Sequence, residues 1–213
     1  MTEPSIDKTI DELCNGLKPC NRLRSPMWRC LLWMVIAISY VVCVALMVGL
    51  QPNTTQRLNE NHFVFEIALS FITGIAASLA TFMLSVPDSE GREWFFSIPI
   101  TLFCVHIMWM IVRFMMEGVG MFPTNWLGHC WMDTIVMAGV PAALVLVLIK
   151  RGATVRPRLL AMNAVLAVAS FSWIGIRFIC PYETIGKAYF VNFLPFVVMG
   201  VVLGLVSKRL FRW

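Results

Sequence analysis

The stretch MWRCLLWMVIAISYVVCVALMVGL, residues 27–50, decides the fold of this chain. Nearly all of its side chains are apolar, and Arg29 is the one charged residue within it. A helix needs about 20 apolar residues to cross the hydrocarbon core of a bilayer, and backbone polar groups at that depth must be satisfied within the helix. The stretch therefore predicts a membrane-spanning helix. Because no small-residue cleavage motif follows it, we expect a retained helix and not a cleaved signal peptide.

Five further stretches have the same length and apolar character, and polar turn-forming residues separate them. They are residues 63–86, 94–116, 131–149, 159–178 and 189–206. Only 14% of the chain is charged and 59% is hydrophobic, whereas soluble domains carry about 25% charged residues. The sequence thus predicts an all-α, polytopic membrane protein. We expect a six-helix transmembrane domain at 27–213, preceded by a separate N-terminal segment at 1–26.

Lysine and arginine are divided unequally between the two sides of this predicted topology. Thirteen lie on the side of the termini, and four (Arg57, Arg113, Arg177 and Lys187) lie on the other side. Short cytoplasmic loops carry the excess of basic residues in membrane proteins. We therefore predict that both termini are cytoplasmic. The net charge of +5 follows this clustering, so we expect a lipid bilayer and no direct nucleic-acid partner.

Two matched elements, HCWMDTI at 129–135 and ICPYETI at 179–185, share a skeleton of Cys, two residues, an acid, Thr and Ile. Cys130 comes where the fourth predicted span begins, and Cys180 comes where the fifth ends. The two spans form one hairpin, so both thiols are expected at its outer mouth. Helix axes pack roughly 8–10 Å apart, and a disulfide needs Cα atoms within about 7 Å. A disulfide between Cys130 and Cys180 would therefore draw the outer helix ends together.

The chemistry of the outer cysteines stays open at this point. They are candidates for a redox-active pair, because they are the cysteines expected on the oxidising side of the membrane. With the neighbouring His129, Asp133 and Glu183 they also offer a mixed set of S, N and O ligands for a metal, although their spacing is not that of a known metal motif. Two unrelated membrane cysteines are the simplest alternative.

The N-terminal segment contains SIDKTIDELCNGLK at residues 5–18, which has apolar side chains at the spacing of one helical face. These are Ile6, Ile10, Leu13 and Leu17. The pattern predicts an amphipathic helix. Its acidic residues disfavour docking on a bilayer, where basic residues are preferred. A surface helix on the protein itself and a helix that inserts into a partner's groove both fit.

Four ionisable residues lie within or beside the apolar stretches. Such residues are costly in a membrane and often functional. We expect Glu66 to reach the outer headgroups, His106 to be a hydrogen-bonded core residue, and Arg113 to pair with Glu117 four residues later. A proton or ion path is the alternative.

Several motifs spread over nearly the whole chain resemble the NrsF family of bacterial inner-membrane anti-sigma factors. They are TIDELCNGLKPCNRLRSPMWRCLLW, LATFMLSVPDSEGREW, KRGATVRPRLLAMNA, CPYETIGKAYFVNFLPF and the C-terminal KRLFRW. This resemblance implies that the chain is not an enzyme, needs no cofactor, and holds a sigma factor of the extracytoplasmic-function type at the membrane. It implies that the N-terminal segment binds the sigma factor, and that Cys130 and Cys180 sense oxidative or metal stress. The chain departs from the family pattern in its additional cysteines at 14, 20 and 30.

Two other functions remain as alternatives. A membrane thiol oxidoreductase that reduces a quinone would be expected to have a C-x-x-C pair, and the sequence has none. A small transporter would be expected to show internal symmetry and breaks at mid-membrane, for which Pro99, Pro141 and Pro195 are the candidates.

Overall fold

The computed structural model describes residues 24–86, 93–117, 130–150, 152, 154–180 and 185–210, together with Lys8, Asp11 and Cys14. Every regular element within these residues is an α-helix. The helices are α1 (Pro26–Val48), α2 (Thr54–Leu58), α3 (Asn61–Leu84), α4 (Glu93–Glu117), α5 (Cys130–Lys150), α6 (Pro157–Ile179) and α7 (Ile185–Leu210). The six long helices coincide with the six predicted stretches, which confirms the all-α fold.

Five of these helices, α1, α3, α4, α5 and α6, are long and apolar enough to cross a membrane. The sixth, α7, is 26 residues long, and the apolar stretch found among its described residues is Pro195–Ser207. Helices α4, α5 and α7 each continue through one internal proline.

The short helix α2 was not expected, because its sequence lies in a connection predicted as a turn. The Thr54 hydroxyl donates a hydrogen bond to the carbonyl of Gln51 at 2.6 Å, which starts the helix. Arg57, in its last turn, donates to the side chain of the same Gln51 at 2.7 Å. These local bonds order the chain between α1 and α3.

Helix α6 lies at the centre of the bundle and contacts α1, α3, α5 and α7. Its apolar stretch is 78% buried, against 17% for that of α4. Small residues allow this close packing. A Cβ atom on Gly74 of α3 would lie 3.1 Å from the ring of Phe171, and one on Gly175 would lie 2.6 Å from Val41. Helix α4 is therefore peripheral, while α6 is the element that the others surround.

The contacts between helix termini divide the bundle into two ends. At one end, which we call the basic end, α1 and α6 begin and α3 and α5 finish, and Arg29 contacts both Ser85 and Leu148. At the other, the cysteine end, the amide of Gln51 after α1 donates to the carbonyl of Phe178 in α6 at 3.1 Å. Cys130 opens α5 and Cys180 follows α6, so both belong to this end.

Candidate functional site

Cys180 lies at the junction of three helices at the cysteine end. It follows α6 directly and is only 2% exposed. The side-chain amide of Asn192, in α7, donates to its sulfur at 3.6 Å. The oxygen of the same amide accepts a hydrogen bond from the hydroxyl of Thr134, in α5, at 3.3 Å. This Cys180–Asn192–Thr134 link joins the thiol to the first turns of α5.

Cys130 is the first residue of α5 and lies one helical turn before Thr134. Residues four apart share one face of a helix, so Cys130 and Thr134 lie on the same side of α5. Thr134 is connected through Asn192 to Cys180. Cys130 therefore lies one turn from the residue that Asn192 links to Cys180, and the side chain of Cys130 lies outside the described residues.

The neighbours proposed for the two cysteines are only partly described. Asp133 is half-buried in the first turn of α5, where a carboxylate is stabilised by the positive end of the helix dipole. His129 and Glu183 lie outside the described residues. Within the described part of the chain, no group of three or more His, Cys, Asp or Glu side chains could hold a metal ion.

A buried ion pair lies beside Cys180, and it corrects the expectation for Glu66. This side chain does not reach the headgroups but is fully buried. Its carboxylate oxygens lie 3.0 and 3.3 Å from Nε and Nη2 of Arg177, and the indole of Trp173 donates to it at 2.9 Å. The carboxylate turns inward because a buried cation on a neighbouring helix satisfies it better than a distant headgroup. Arg177 precedes Cys180 by three residues.

A second arginine approaches this ion pair from the connection between α1 and α3. The guanidinium groups of Arg57 and Arg177 lie 5.0 and 5.5 Å from the ring centre of Phe63, a distance at which cations are attracted to an aromatic ring. Burial and the charge of Arg177 lower the pKa of Arg57, while Glu60 and Glu66 oppose this shift. The two cations and the carboxylate of Glu66 thus form one cluster at the cysteine end.

Helices α1 and α5 are joined along their length by hydrogen bonds from side chains to main-chain carbonyls. Three side chains of α1 donate to α5: Tyr40 to Val136 at 2.9 Å, Trp33 to Pro141 at 3.0 Å, and Arg29 to Leu148. We call these three contacts the α1–α5 seam. The seam runs from near the cysteine end to the basic end, so α5 cannot shift along α1 without breaking several bonds.

Pro141 leaves one main-chain carbonyl of α5 without its usual donor within the helix. A proline has no N–H and cannot donate to the carbonyl four residues earlier, which here belongs to Met137. The hydroxyl of Ser172, in α6, donates to that carbonyl at 3.3 Å. The carbonyl of Met137, which Pro141 leaves without a helical donor, thus connects α5 to α6. The carbonyl of Pro141 itself accepts from Trp33 of α1.

Arg29, in α1, contacts the ends of α3 and α5 at the basic end. It is 6% exposed and donates to the carbonyl of Leu148 near the end of α5 and, at 3.4 Å, to the hydroxyl of Ser85 after α3. Its guanidinium also lies 5.7 Å from the ring centre of Phe82. A Cβ atom on Gly152 would collide with the carbonyl oxygen of Ser85, so the connection between α5 and α6 rests directly on the end of α3.

The N-terminal segment is described at three positions. Lys8, Asp11 and Cys14 are helical and exposed, which agrees with the predicted helix at 5–18. The apolar residues expected to bind a partner lie outside the described residues: Ile6, Ile10, Leu13 and Leu17. Their role stays a prediction.

Sequence reasoning missed the partners of Glu66 and the role of Arg29. The signal for the first was present, because Glu66 lies near the start of its helix and Arg177 near the end of another. Two opposite charges at similar depth in apolar helices are expected to pair. His106 is buried at 7% exposure, as expected for a core histidine, and Arg113 is partly buried. The side chain of Glu117 lies outside the described residues, so its predicted pairing with Arg113 is untested.

The fold and these contacts define a class: a polytopic helical membrane protein with a separate N-terminal segment, in which buried polar contacts connect the two membrane faces. A family model described as NrsF, negative regulator of sigma F, matches residues 13–213. The chain therefore belongs to the NrsF family, as its motifs indicated, and it is a negative regulator of a sigma factor. No curated protein and no solved structure matches the chain.

Proposed function

We propose that this chain is an anti-sigma factor of the bacterial inner membrane and not an enzyme. It holds a sigma factor of the extracytoplasmic-function type through residues 1–26, and it releases this partner when Cys130 and Cys180 respond to oxidative or metal stress. Family membership supports the sigma-factor partner. The observation that carries the rest is the α1–α5 seam, because α5 begins at Cys130 and α1 begins directly after the N-terminal segment.

The orientation of the bundle follows from its charges. The topology predicted from the sequence has thirteen Lys and Arg residues on the side of the basic end and four on the side of the cysteine end. The positive-inside tendency places the basic end in the cytoplasm. The N-terminal segment is then available to a cytoplasmic sigma factor, and the two cysteines face the oxidising side.

Oxidation would change the distance between Cys130 and Cys180 at the cysteine end. The two thiols lose two electrons and two protons to a peroxide, which is reduced to water or an alcohol and water, and an S–S bond forms. A disulfide holds its Cα atoms within about 7 Å. Where the two residues lie farther apart in the reduced protein, the new bond pulls the start of α5 towards the end of α6. A soft metal bound by both thiolates would act in the same direction.

The displacement can reach the basic end through α5. Packed helices move as rigid bodies, and the 21 residues of α5 span roughly 30 Å at about 1.5 Å per residue. The carbonyl of Leu148 lies near the far end of this helix and is bound by Arg29. A shift of α5 thus changes the position of Arg29, and with it the direction in which the N-terminal segment leaves the membrane.

The sensing half of the proposal is tested by a sigma-dependent reporter with and without oxidant or metal. Cys130→Ser and Cys180→Ser should each keep the reporter off under stress, and the double variant should behave like either single variant, because both residues form one unit. Cys43→Ser and Cys104→Ser are matched controls, since these cysteines are exposed on helical spans. A normal stress response in the Cys130→Ser, Cys180→Ser variant would overturn the sensor assignment.

The binding half is tested by co-purification of the sigma factor. Truncating a buried Leu costs about 2–5 kcal/mol, which weakens a complex by well over tenfold, and a charge at that position costs more. Leu13→Asp should therefore lose the sigma factor and switch the reporter on without stress. Asp11→Asn, at an exposed helical position, should not. Full retention of the sigma factor by Ile10→Asp combined with Leu13→Asp would show that another segment binds it.

A further inference from the structure

A lateral groove lies on the outside of the bundle between α4, α6 and α7. It has a volume of about 650 Å³, within the roughly 300–1,000 Å³ of pockets that hold small molecules. Apolar side chains form its walls, including Met162, Val165 and Leu166 of α6 and Val197 and Val201 of α7, and Arg158 lies at one end. The groove opens towards the space that lipid occupies.

The length and depth of the groove match one leaflet of a bilayer. Along α6 its lining runs from Arg158 to Ala169, which is roughly 16 Å at about 1.5 Å per residue. This is about half of the ~30 Å hydrocarbon core. Arg158 is in the first turn of α6 at the basic end, so one end of the groove lies at headgroup level and the other near the centre of the membrane.

An aromatic stack closes the inner end. Phe103 of α4 and Phe193 of α7 lie with their ring centres 5.9 Å apart and nearly parallel, at 13°, and both line the groove. Near the middle, a Cβ atom on Gly200 of α7 would lie 3.7 Å from Val165 of α6 and one on Gly204 would meet no atom within 4 Å. Because these two glycines have no side chains, space remains between α6 and α7.

We propose that this groove binds a phospholipid of the leaflet at the basic end, with its phosphate at Arg158 and one acyl chain between α6 and α7. Among the described residues that line the groove, Arg158 is the cation, and it lies above an apolar channel of one leaflet's length. This arrangement is complementary to an anionic headgroup with its chain, and basic pockets between membrane helices bind such headgroups. A helix of a second copy fits less well. It would cross the whole membrane, whereas the groove ends at the Phe103–Phe193 stack.

The proposal is tested with the full chain in nanodiscs made from equal parts of phosphatidylcholine and phosphatidylglycerol. After extraction into mild detergent and washing, the lipid that remains with the protein is measured by mass spectrometry. The wild-type chain should retain phosphatidylglycerol in preference to phosphatidylcholine. Gly200→Leu fills the groove and should lose the retained lipid. Gly139→Leu is the control for adding a leucine to an open helix face, because a Cβ atom on Gly139 meets no atom within 4 Å and Gly139 lies on α5, away from the groove.

The charge of Arg158 is tested separately in the same assay. Arg158→Gln should lower the preference for phosphatidylglycerol about fivefold, the effect of one basic side chain near an anionic surface. Arg156→Gln, which replaces a basic side chain just before α6, should leave this preference unchanged. Equal lipid retention by the wild type and Gly200→Leu would overturn the proposal. So would a loss of oligomeric mass in Gly200→Leu without a loss of lipid, which would assign the groove to a second copy.

Discussion

Two buried arginines at opposite ends of the bundle are held in different ways. Arg177, at the cysteine end, is 2% exposed and faces the carboxylate of Glu66 with two nitrogens. Arg29, at the basic end, is 6% exposed and donates to the carbonyl of Leu148 and the hydroxyl of Ser85. The first is bound by an opposite charge on the neighbouring helix α3. The described contacts of the second join it to the ends of two other helices, α3 and α5.

This difference indicates which contact between helices should persist when the molecule changes conformation. Breaking a buried ion pair leaves an uncompensated charge and is strongly unfavourable, so α3 and α6 should stay together in every functional state. The contacts of Arg29 join the start of α1 to the ends of α3 and α5. Arg29 should therefore follow α5 when this helix shifts, while the Glu66–Arg177 pair stays in place.

The largest effect on stability is expected at the Glu66–Arg177 pair. Glu66→Gln removes the charge but keeps the shape, so Arg177 is left buried without its counter-ion, and the free energy of unfolding should fall by about 3–5 kcal/mol. The measurement is unfolding in mixed detergent micelles, followed by circular dichroism.

The control for this change is Glu60→Gln. The side chain of Glu60 is 47% exposed, and surface substitutions usually change stability by less than about 0.5 kcal/mol. Replacing both members of the pair, Glu66→Leu with Arg177→Met, should recover most of the lost stability, because no buried charge remains. If the double variant is as unstable as Glu66→Gln, the pair is not what holds α3 to α6.

A smaller loss of stability and a larger change in regulation are expected at Arg29. Arg29→Met removes the donor to Leu148 and Ser85 but keeps an apolar stem, so the cost should be about 1.5–3 kcal/mol. Because this residue connects α5 to the start of α1, the sigma-dependent reporter should be on without stress. Arg24→Met, at an exposed position just before α1, is the control for charge alone. A reporter that stays off in a stable Arg29→Met protein would remove Arg29 from the coupling path.

The smallest effect is expected within the α1–α5 seam. Trp33→Phe keeps an aromatic ring against Phe82 and Phe171 but loses the hydrogen bond to the carbonyl of Pro141, which should cost about 1 kcal/mol. Trp28→Phe, at a position 51% exposed, should be neutral. Measured together with Arg29→Met, a loss smaller than the sum of the two would show that the contacts of the seam form one unit.

The helices were predictable from the sequence because length and apolar composition are sufficient to identify a membrane span. The predicted span at 159–178, for example, corresponds to α6 at Pro157–Ile179. The short helix α2 was not, because it depends on hydrogen bonds to Gln51 and not on apolar periodicity.

The pairing of side chains was less predictable than the spans. Sequence spacing places a residue at a depth, but it does not say which helices are neighbours. The sequence therefore predicts Glu66 at the headgroups, whereas its partner Arg177 is 111 residues away. The contact of Arg29 with Leu148 spans 119 residues and has a main-chain acceptor, which no residue type reveals. The roles of Cys130, Cys180 and the N-terminal segment remain predictions that the reporter experiments address.

The ion pair between Glu66 and Arg177 also has a consequence for biosynthesis. Translation proceeds at roughly 5–20 residues per second, so the 111 residues that separate the two side chains take roughly 5–20 s to make. During this interval α3 has left the ribosome with its carboxylate unmatched, and it can wait at the membrane surface or beside the insertion machinery until α6 arrives. The central part of the bundle therefore closes late, and a chain that stops before Arg177 exposes an unmatched acid that membrane quality control can recognise.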